Sequence, residues 1–236
     1  MQTVIMAGGS GTRFWPFSRK NRPKQFLKII GDRPMIEETC NRLSPLVGDH
    51  EIIIILGKDH RDEAIRIFEG RDIEIIAEPV GRNTAPCIGL GALYAMQKGN
   101  EGAVAFLPAD HYIADVPSFL TSLRQAGEVA ESGDGGIVTL GIPPTRPETG
   151  YGYIQRSDYI LDTSYPAYRV SAFVEKPDLD TAKKYLVDGK YFWNAGIFVT
   201  TPRTILSEIR KNLPDLHEGL LRLKDPISND SFSDVL

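Results

Sequence analysis

Cysteine is scarce. Only Cys40 and Cys87 occur in 236 residues. Cys40 sits in an apolar helical pattern and Cys87 among small residues, so both read as buried thiols rather than a disulfide or a metal pair. Long apolar runs are missing too. None, Ile52 to Leu56 included, exceeds a strand's length, and none can span a bilayer. Met1 leads straight into a strand-like segment, without the charged start and apolar stretch of a secretion signal, so the expected location is the cytoplasm. With 31 acidic against 27 basic side chains the net charge is −4, which argues against broad nucleic-acid binding. One absence is local. No carboxylate occurs before Asp32, while Arg13, Arg19, Lys20, Arg22 and Lys24 crowd a glycine-rich stretch. A surface chosen for solubility would mix the signs. An anionic ligand is the expected partner of this segment.

What is present is ordinary for a globular chain, with 42% hydrophobic and 25% charged residues. The length fits one large α/β unit. Strands are predicted at Thr3–Ala7, Glu51–Leu56, Ile73–Ala77, Ala103–Leu107 and Ile137–Leu140, then at Tyr151–Gln155, Arg169–Val174 and Ala195–Thr200. Several are apolar on both faces, as strands covered by helices on each side should be. A helix is predicted over Met35–Leu43 from the spacing of Met35, Ile36, Thr39, Cys40 and Leu43. Another is predicted from Ile205, Leu206, Ile209 and Leu213, behind Thr201-Pro202, an N-cap with proline at the first helical position. The β-α alternation implies a mostly parallel sheet with helices on both faces and ligands at the carboxyl ends of the strands. After about Gly141 the turn-rich "GIPPTRPETGYGYI" and closer strands predict a mixed or antiparallel extension. The polar end, "KDPISNDSFSDVL", reads as a fraying tail or the point where a longer chain was cut.

Gly8, Gly9 and Gly11 follow the first strand directly, where glycine lets backbone N–H groups approach a phosphate. A P-loop would need Gly-Lys-Ser/Thr, and Gly8 leads instead to Arg13-Phe14-Trp15. A dinucleotide fingerprint would need a small residue where Phe14 stands, and an acid closing a second strand where Asp32 lies in a turn-like "GDRP". The glycines alone also read as a tight turn. The cations weigh against that: Arg13 can fork two donors to phosphate oxygens. Lys24 sits behind Pro23, which restricts its direction.

The stretch "AGGSGTRFWPFSRKNRPKQF" resembles the N-terminal signature of the sugar nucleotidyltransferases, and "FWPFSR" and "PKQF" resemble their mannose-1-phosphate guanylyltransferase branch. "EPVGRNTAPCI", "LPADHYI", "ETGYGYI", "FVEKP" and "WNAGIFV" agree in the same order. The resemblance implies a Rossmann-like nucleotidyltransferase fold over residues 1–236, with a nucleotide-binding half at about 1–141 and a sugar-binding half at about 142–236. It implies that GTP and α-D-mannose 1-phosphate give GDP-mannose and pyrophosphate, with Mg²⁺ as cofactor. The expected partners are these two small substrates, with no nucleic acid and no membrane; a homodimer is compatible with the sequence.

Site residues follow from the same resemblance. Ala7, Gly8, Gly9, Ser10, Gly11 and Thr12 would cradle the nucleotide. Arg13 would hold the β- and γ-phosphates, and Lys24 would bridge the α-phosphate and the incoming sugar phosphate. Glu78 could accept from the guanine N1–H and N2–H₂ edge, which adenine lacks. Asn83 and Thr84 read either as base contacts or as caps of the following helix. Asp110, at the carboxyl end of a strand, would be the Mg²⁺ ligand, since that ion takes one or two carboxylates plus substrate phosphates; the same aspartate also reads as a helix cap. His111 suits Mg²⁺ poorly and reads as structural. Gly152, Glu175, Lys176, Asn194 and Gly196 would hold the sugar phosphate, although Glu175-Lys176 also reads as a surface pair. The family's second metal-binding aspartate, in an "IDY"-like segment, and its further C-terminal domain have no counterpart before Leu236. Two other readings stay open: a thymidylyl- or uridylyltransferase acting on glucose 1-phosphate, and a catalytically silent nucleotide- or sugar-phosphate-binding module.

Overall fold

The computed structural model describes residues 1–9, 17–18, 23–29, 31–78, 83–132, 136–161 and 165–223. Two compact units emerge: Met1–Ile137 together with Val199–Leu236, and Val138–Phe198. The sequence reading placed everything after about 141 in one half. The chain instead returns to the first unit at Val199, because the last helices pack on a helix of the first half.

In the first unit β1 (Gln2–Met6), β2 (Ile52–Gly57), β3 (Glu74–Glu78) and β4 (Val104–Pro108) form a parallel sheet in the order β3-β2-β1-β4. β1 lies between β2 and β4, with Met6 opposite Ile55 on one side and Pro108 on the other. Its interior position explains the composition. Val4, Ile5 and Ile52 to Leu56 are buried, with no polar alternation to mark a wet face.

The helices of this unit are α1 (Met35–Leu43), α2 (Arg61–Ile67), α3 (Thr84–Gln97), α4 (Val116–Glu131), α6 (Pro202–Asn212) and α7 (Pro214–Arg222). α1 occupies the predicted span. α6 starts as predicted, Thr201 accepting from the Thr204 N–H at 3.2 Å ahead of Pro202. α3 is buried almost all round because it is covered twice. A Cβ on Gly91 would stand 2.9 Å from Val4 Cγ1 and 3.2 Å from Ile55 Cδ1, on the sheet side. A Cβ on Gly89 would stand 2.7 Å from Leu220 and 3.1 Å from Ile209, on the side of α6 and α7. Small residues therefore let a helix sit between two layers.

The second unit contains β5 (Val138–Ile142), β6 (Tyr153–Ile160), β7 (Tyr168–Val174), α5 (Leu179–Asp188) and β8 (Tyr191–Thr200), whose last two residues belong to the first unit. β6 pairs antiparallel with both β7 and β8, and β5 pairs with β8. The predicted antiparallel extension is thus present. Strand β8 begins at Tyr191 rather than Ala195, since Tyr191, Phe192 and Trp193 are themselves strand formers. Tyr153, Ala182 and Trp193 form its small core, against which Tyr185 and Tyr191 pack. α5 is closed at both ends: Asp178 accepts from the Thr181 N–H at 2.8 Å, and Gly189 takes a left-handed turn at φ 75°. Among the described residues no helix is long and apolar enough to cross a membrane.

The tight seat of α3 makes a stability prediction. Gly91→Val should lower Tm by roughly 5 °C through overpacking against the sheet. Gly219→Ala, in α7 with no atom of the described residues within 4 Å of the added Cβ, should not lower it. Thermal unfolding of the two variants checks this; equal behaviour would contradict the double-layer seat.

Candidate active site

The carboxyl ends of the parallel strands collect the chemistry of the first unit. β1 runs into Ala7, Gly8 and Gly9, β4 into Ala109 and Asp110, and β3 ends on Glu78. The ladder continues one residue beyond the strands: Ala7 donates to the Ile55 carbonyl at 2.8 Å and Ala109 to the Met6 carbonyl at 3.1 Å. Gly9 has φ 99°, a left-handed conformation that a side chain would strain, and among the described residues no atom lies within 4 Å of a Cβ built on Gly8 or Gly9. Ser10, Gly11, Thr12 and Arg13 lie outside the described residues.

Lys24 opens a 3-10 turn, Lys24–Phe26, directly behind Pro23. The turn is anchored by its neighbours. Phe26 is buried, and the buried Gln25 donates through Nε2 to the Ala7 carbonyl at 2.7 Å. That bond ties the turn to the end of β1. It also leaves Lys24 directed at Asp110, with which it forms an ion pair, the two side chains being 28% and 15% exposed. A partly buried pair of this kind is screened far less than one on the surface. The adjacent His111 is held neutral: burial, with the nearby charges of Lys24 and Arg42, pushes its imidazole down to about 4. It adds no charge beside the pair.

Glu78 is 8% exposed, and burial pushes its carboxyl up to about 7. Burial, and Glu78 itself, push the Cys87 thiol up as well, so that cysteine is inert. Both cysteines are free and buried, as the sequence indicated. Asn83 stands at the N-cap of α3 but makes no side-chain capping bond, and Thr84 is exposed at the first turn.

In the second unit Glu175 and Lys176 form an exposed ion pair at 2.7 Å, with side chains 58% and 51% exposed. Such a pair contributes little to stability. Lys176 has φ 45° although it is not glycine and precedes Pro177, an unfavourable backbone state that a purely decorative surface pair would not need. A Cβ on Gly152 would stand 2.8 Å from Glu175 Oε2, so glycine makes room for that carboxylate. The Gly152 carbonyl accepts from the Asn194 N–H at 2.8 Å. Asn194 Oδ1 accepts from Thr139 Oγ1 at 3.0 Å and from the Gly196 N–H at 3.1 Å. The oxygen end of that amide is therefore engaged within the protein, and a ligand contact falls to Nδ2. Gly196 adopts φ 67°.

Several of these supporting residues escaped the sequence reading. Glu148 accepts from the Gly150 N–H at 3.0 Å, while its own carbonyl accepts from the Tyr153 hydroxyl at 2.9 Å. Arg146 pairs with the Glu148 carboxylate and lies over the Trp193 ring, 5.5 Å from its centroid. Gln25 lay inside the quoted "PKQF", yet nothing in a sequence says which carbonyl an amide will reach.

A divalent cation has one candidate ligand beside Lys24. Among the described residues no group of three or more His, Cys, Asp or Glu side chains converges. Asp110 offers a hard oxygen just past the end of β4. That donor set does not make an all-protein cage, and it fits Mg²⁺ carried largely by phosphate oxygens.

The carboxyl ends of this parallel sheet thus bring together a glycine turn, a lysine–carboxylate pair and a buried acid in an α/β unit. Residues 2–229 match the family model for nucleotidyl transferases, and the chain belongs to that family. It is 44% identical over 231 residues to a mannose-1-phosphate guanylyltransferase of Klebsiella pneumoniae, covering 97% of this chain and 48% of that one. It is 41% identical over 225 residues to the alginate biosynthesis protein AlgA of Pseudomonas syringae, covering 94% and 46%. The chain thus spans about half the length of the curated relatives it matches. A crystal structure of a Thermus thermophilus protein, described as a mannose-1-phosphate geranyltransferase, superposes with TM-score 0.86 at 36% identity, over 99% of this chain and 67% of that one.

The buried carboxyl makes a prediction independent of any ligand. Glu78 binds its proton more tightly when folded, so its contribution to stability falls as pH rises from 4.5 through about 7. Glu78→Gln should therefore raise Tm at pH 8 and leave it nearly unchanged at pH 4. An equal shift at both values in a thermal melt would contradict the burial of this charge.

Proposed function

We propose that this chain transfers GMP from GTP to α-D-mannose 1-phosphate, giving GDP-mannose and pyrophosphate. A phosphate oxygen of the sugar phosphate forms a bond to the α-phosphorus of GTP. The bond from that phosphorus to the bridging oxygen breaks, and pyrophosphate leaves with the electron pair. No protein nucleophile is required. The protein's task is to place two anions and to stabilise negative charge as it spreads.

The observation that carries this reading is the Lys24–Asp110 pair at the end of β4, one strand from the Gly8-Gly9 turn. In the free chain the carboxylate holds the ammonium where phosphates would lie. When the α-phosphate arrives, Lys24 exchanges one anionic partner for another without first having to be ordered. Asp110 would then be the protein ligand of Mg²⁺, which supplies charge neutralisation at the transferring phosphoryl group. Glu78 is the candidate acceptor for the guanine edge, and binding guanine through it requires the ionised form. Glu175, Lys176 and the Nδ2 donor of Asn194 are the candidate sugar-phosphate contacts, with Gly152 leaving room for Glu175. Ser10, Gly11, Thr12 and Arg13 retain the phosphate-holding role that the motif implies. GTP binding, magnesium dependence and a cytoplasmic location belong to this proposal. The identities to relatives named for this activity or for alginate biosynthesis support it.

Pyrophosphate release from the 236-residue chain, with Mg²⁺, mannose 1-phosphate and each of four nucleoside triphosphates in turn, tests the reading. Release with GTP at least about tenfold faster than with the others, a difference of about 1.4 kcal/mol, is the expected result. Equal rates with all four would overturn guanine selection. Silence with every nucleotide, with GTP still bound, would favour a binding module over a transferase.

A further inference from the structure

The backbone on both sides of Asp110 is held by one face of a helix far from it in sequence. Thr39 Oγ1, in α1, lies 3.2 Å from the Ala109 carbonyl. Arg42 Nη2 donates to the His111 carbonyl at 3.1 Å. The two side chains are three residues apart and so are neighbours on the helix surface. Their holds differ in strength. The Thr39 hydroxyl has a single proton, for which the Met35 carbonyl at 2.9 Å competes. The guanidinium is charged and has a fixed fork, so Arg42 makes the firmer bond.

The helix that carries them is itself fixed. Ile36, Thr39, Cys40 and Leu43 are buried. Asn41 Oδ1 accepts from Arg71 Nη1 at 2.8 Å, and the same arginine grips Asp49 through two nitrogens at 2.9 and 2.6 Å. α1 is thus a rigid bracket, and the segment it clamps is the one that presents Asp110 to Lys24. Arg42 and His111 also line a cavity of about 300 Å³ between α1 and the segment that follows Asp110. The bracket is therefore not a tightly filled core contact, and a shorter side chain at 42 has space beside it.

We propose that Arg42, assisted by Thr39, is a positioning residue for the Lys24–Asp110 pair. By fixing the carbonyls that flank Asp110, it sets the direction in which the carboxylate leaves the backbone before any substrate binds. The geometry is independent of the reaction; its kinetic consequence rests on the guanylyl-transfer reading. A residue acting this way should affect metal-dependent nucleotide binding and turnover together.

The test compares Arg42→Ala and Arg42→Lys with the unmodified chain in two assays. The first is GTP binding at equilibrium as Mg²⁺ is titrated, without sugar phosphate and so without turnover. The second is pyrophosphate release, giving kcat and the KM for mannose 1-phosphate. Arg42→Ala should raise the Mg²⁺ concentration for half-maximal GTP binding and lower kcat, each by about 10-fold or more, as loss of a residue that orients a ligand commonly does. Arg42→Lys, which keeps a cationic donor, should recover most of both losses. An unchanged Mg²⁺ titration in Arg42→Ala would overturn the proposal. So would equal losses in the two variants. If Arg42→Ala fails to fold, Arg42→Lys and Thr39→Val carry the same titration. An unmodified chain without turnover would overturn the transferase reading instead, and the equilibrium titration would still decide the role of Arg42.

Discussion

The register of β1 between two parallel neighbours is the constraint on which the first unit depends. Met6 lies opposite Ile55 and Pro108, so the residues that follow these strands emerge side by side. One slip of β1 would turn its buried side chains to the other face and carry the glycine turn away from Asp110. Val4 and Ile5 of β1 and Ile52 to Leu56 of β2 are all buried in this register, so a slip would have to repack both strands. The core therefore fixes the separation of Gly8, Lys24 and Asp110, although none of those residues belongs to it.

Charge is arranged around the same point. Lys24 meets Asp110, Arg42 of α1 reaches the carbonyl of the next residue, and burial with those two cations keeps His111 neutral. The result is a carboxylate with a lysine at its side and no competing cation from its neighbour. Glu78 follows the opposite strategy. Burial alone governs its carboxyl, and its proton affinity rises accordingly. The second unit contains a comparable bracket of its own: Glu148 ties the Gly150 amide, and Tyr153 ties Glu148. In the first unit the bracketing side chains come from outside the quoted motifs, whereas in the second Glu148 and Tyr153 belong to "ETGYGYI" itself.

Much of this was legible in the sequence, and the limit has a physical cause. Strand positions and the span of α1 followed from hydrophobic periodicity, which burial enforces directly. The α6 start followed from Thr201-Pro202, because caps are local chemistry. The prominence of Lys24 and Asp110 followed from a motif. What stayed hidden was long-range hydrogen bonding. Gln25 to Ala7, Thr39 to Ala109 and Arg42 to His111 join residues 18, 70 and 69 positions apart, and no periodicity records them. The return of the chain to the first unit at Val199 was hidden for the same reason, since it depends on Gly89 making room for Leu220 and Ile209.

If Lys24 and Asp110 act as one preorganised unit, removing either should disable the other. A double-mutant cycle on kcat for pyrophosphate release, using Lys24→Ala, Asp110→Asn and the combined variant, measures this directly. Residues that act together are non-additive, so the combined variant should be about as slow as the slower single variant. Losses that multiply would contradict a shared role and would make the ion pair a bystander of the chemistry.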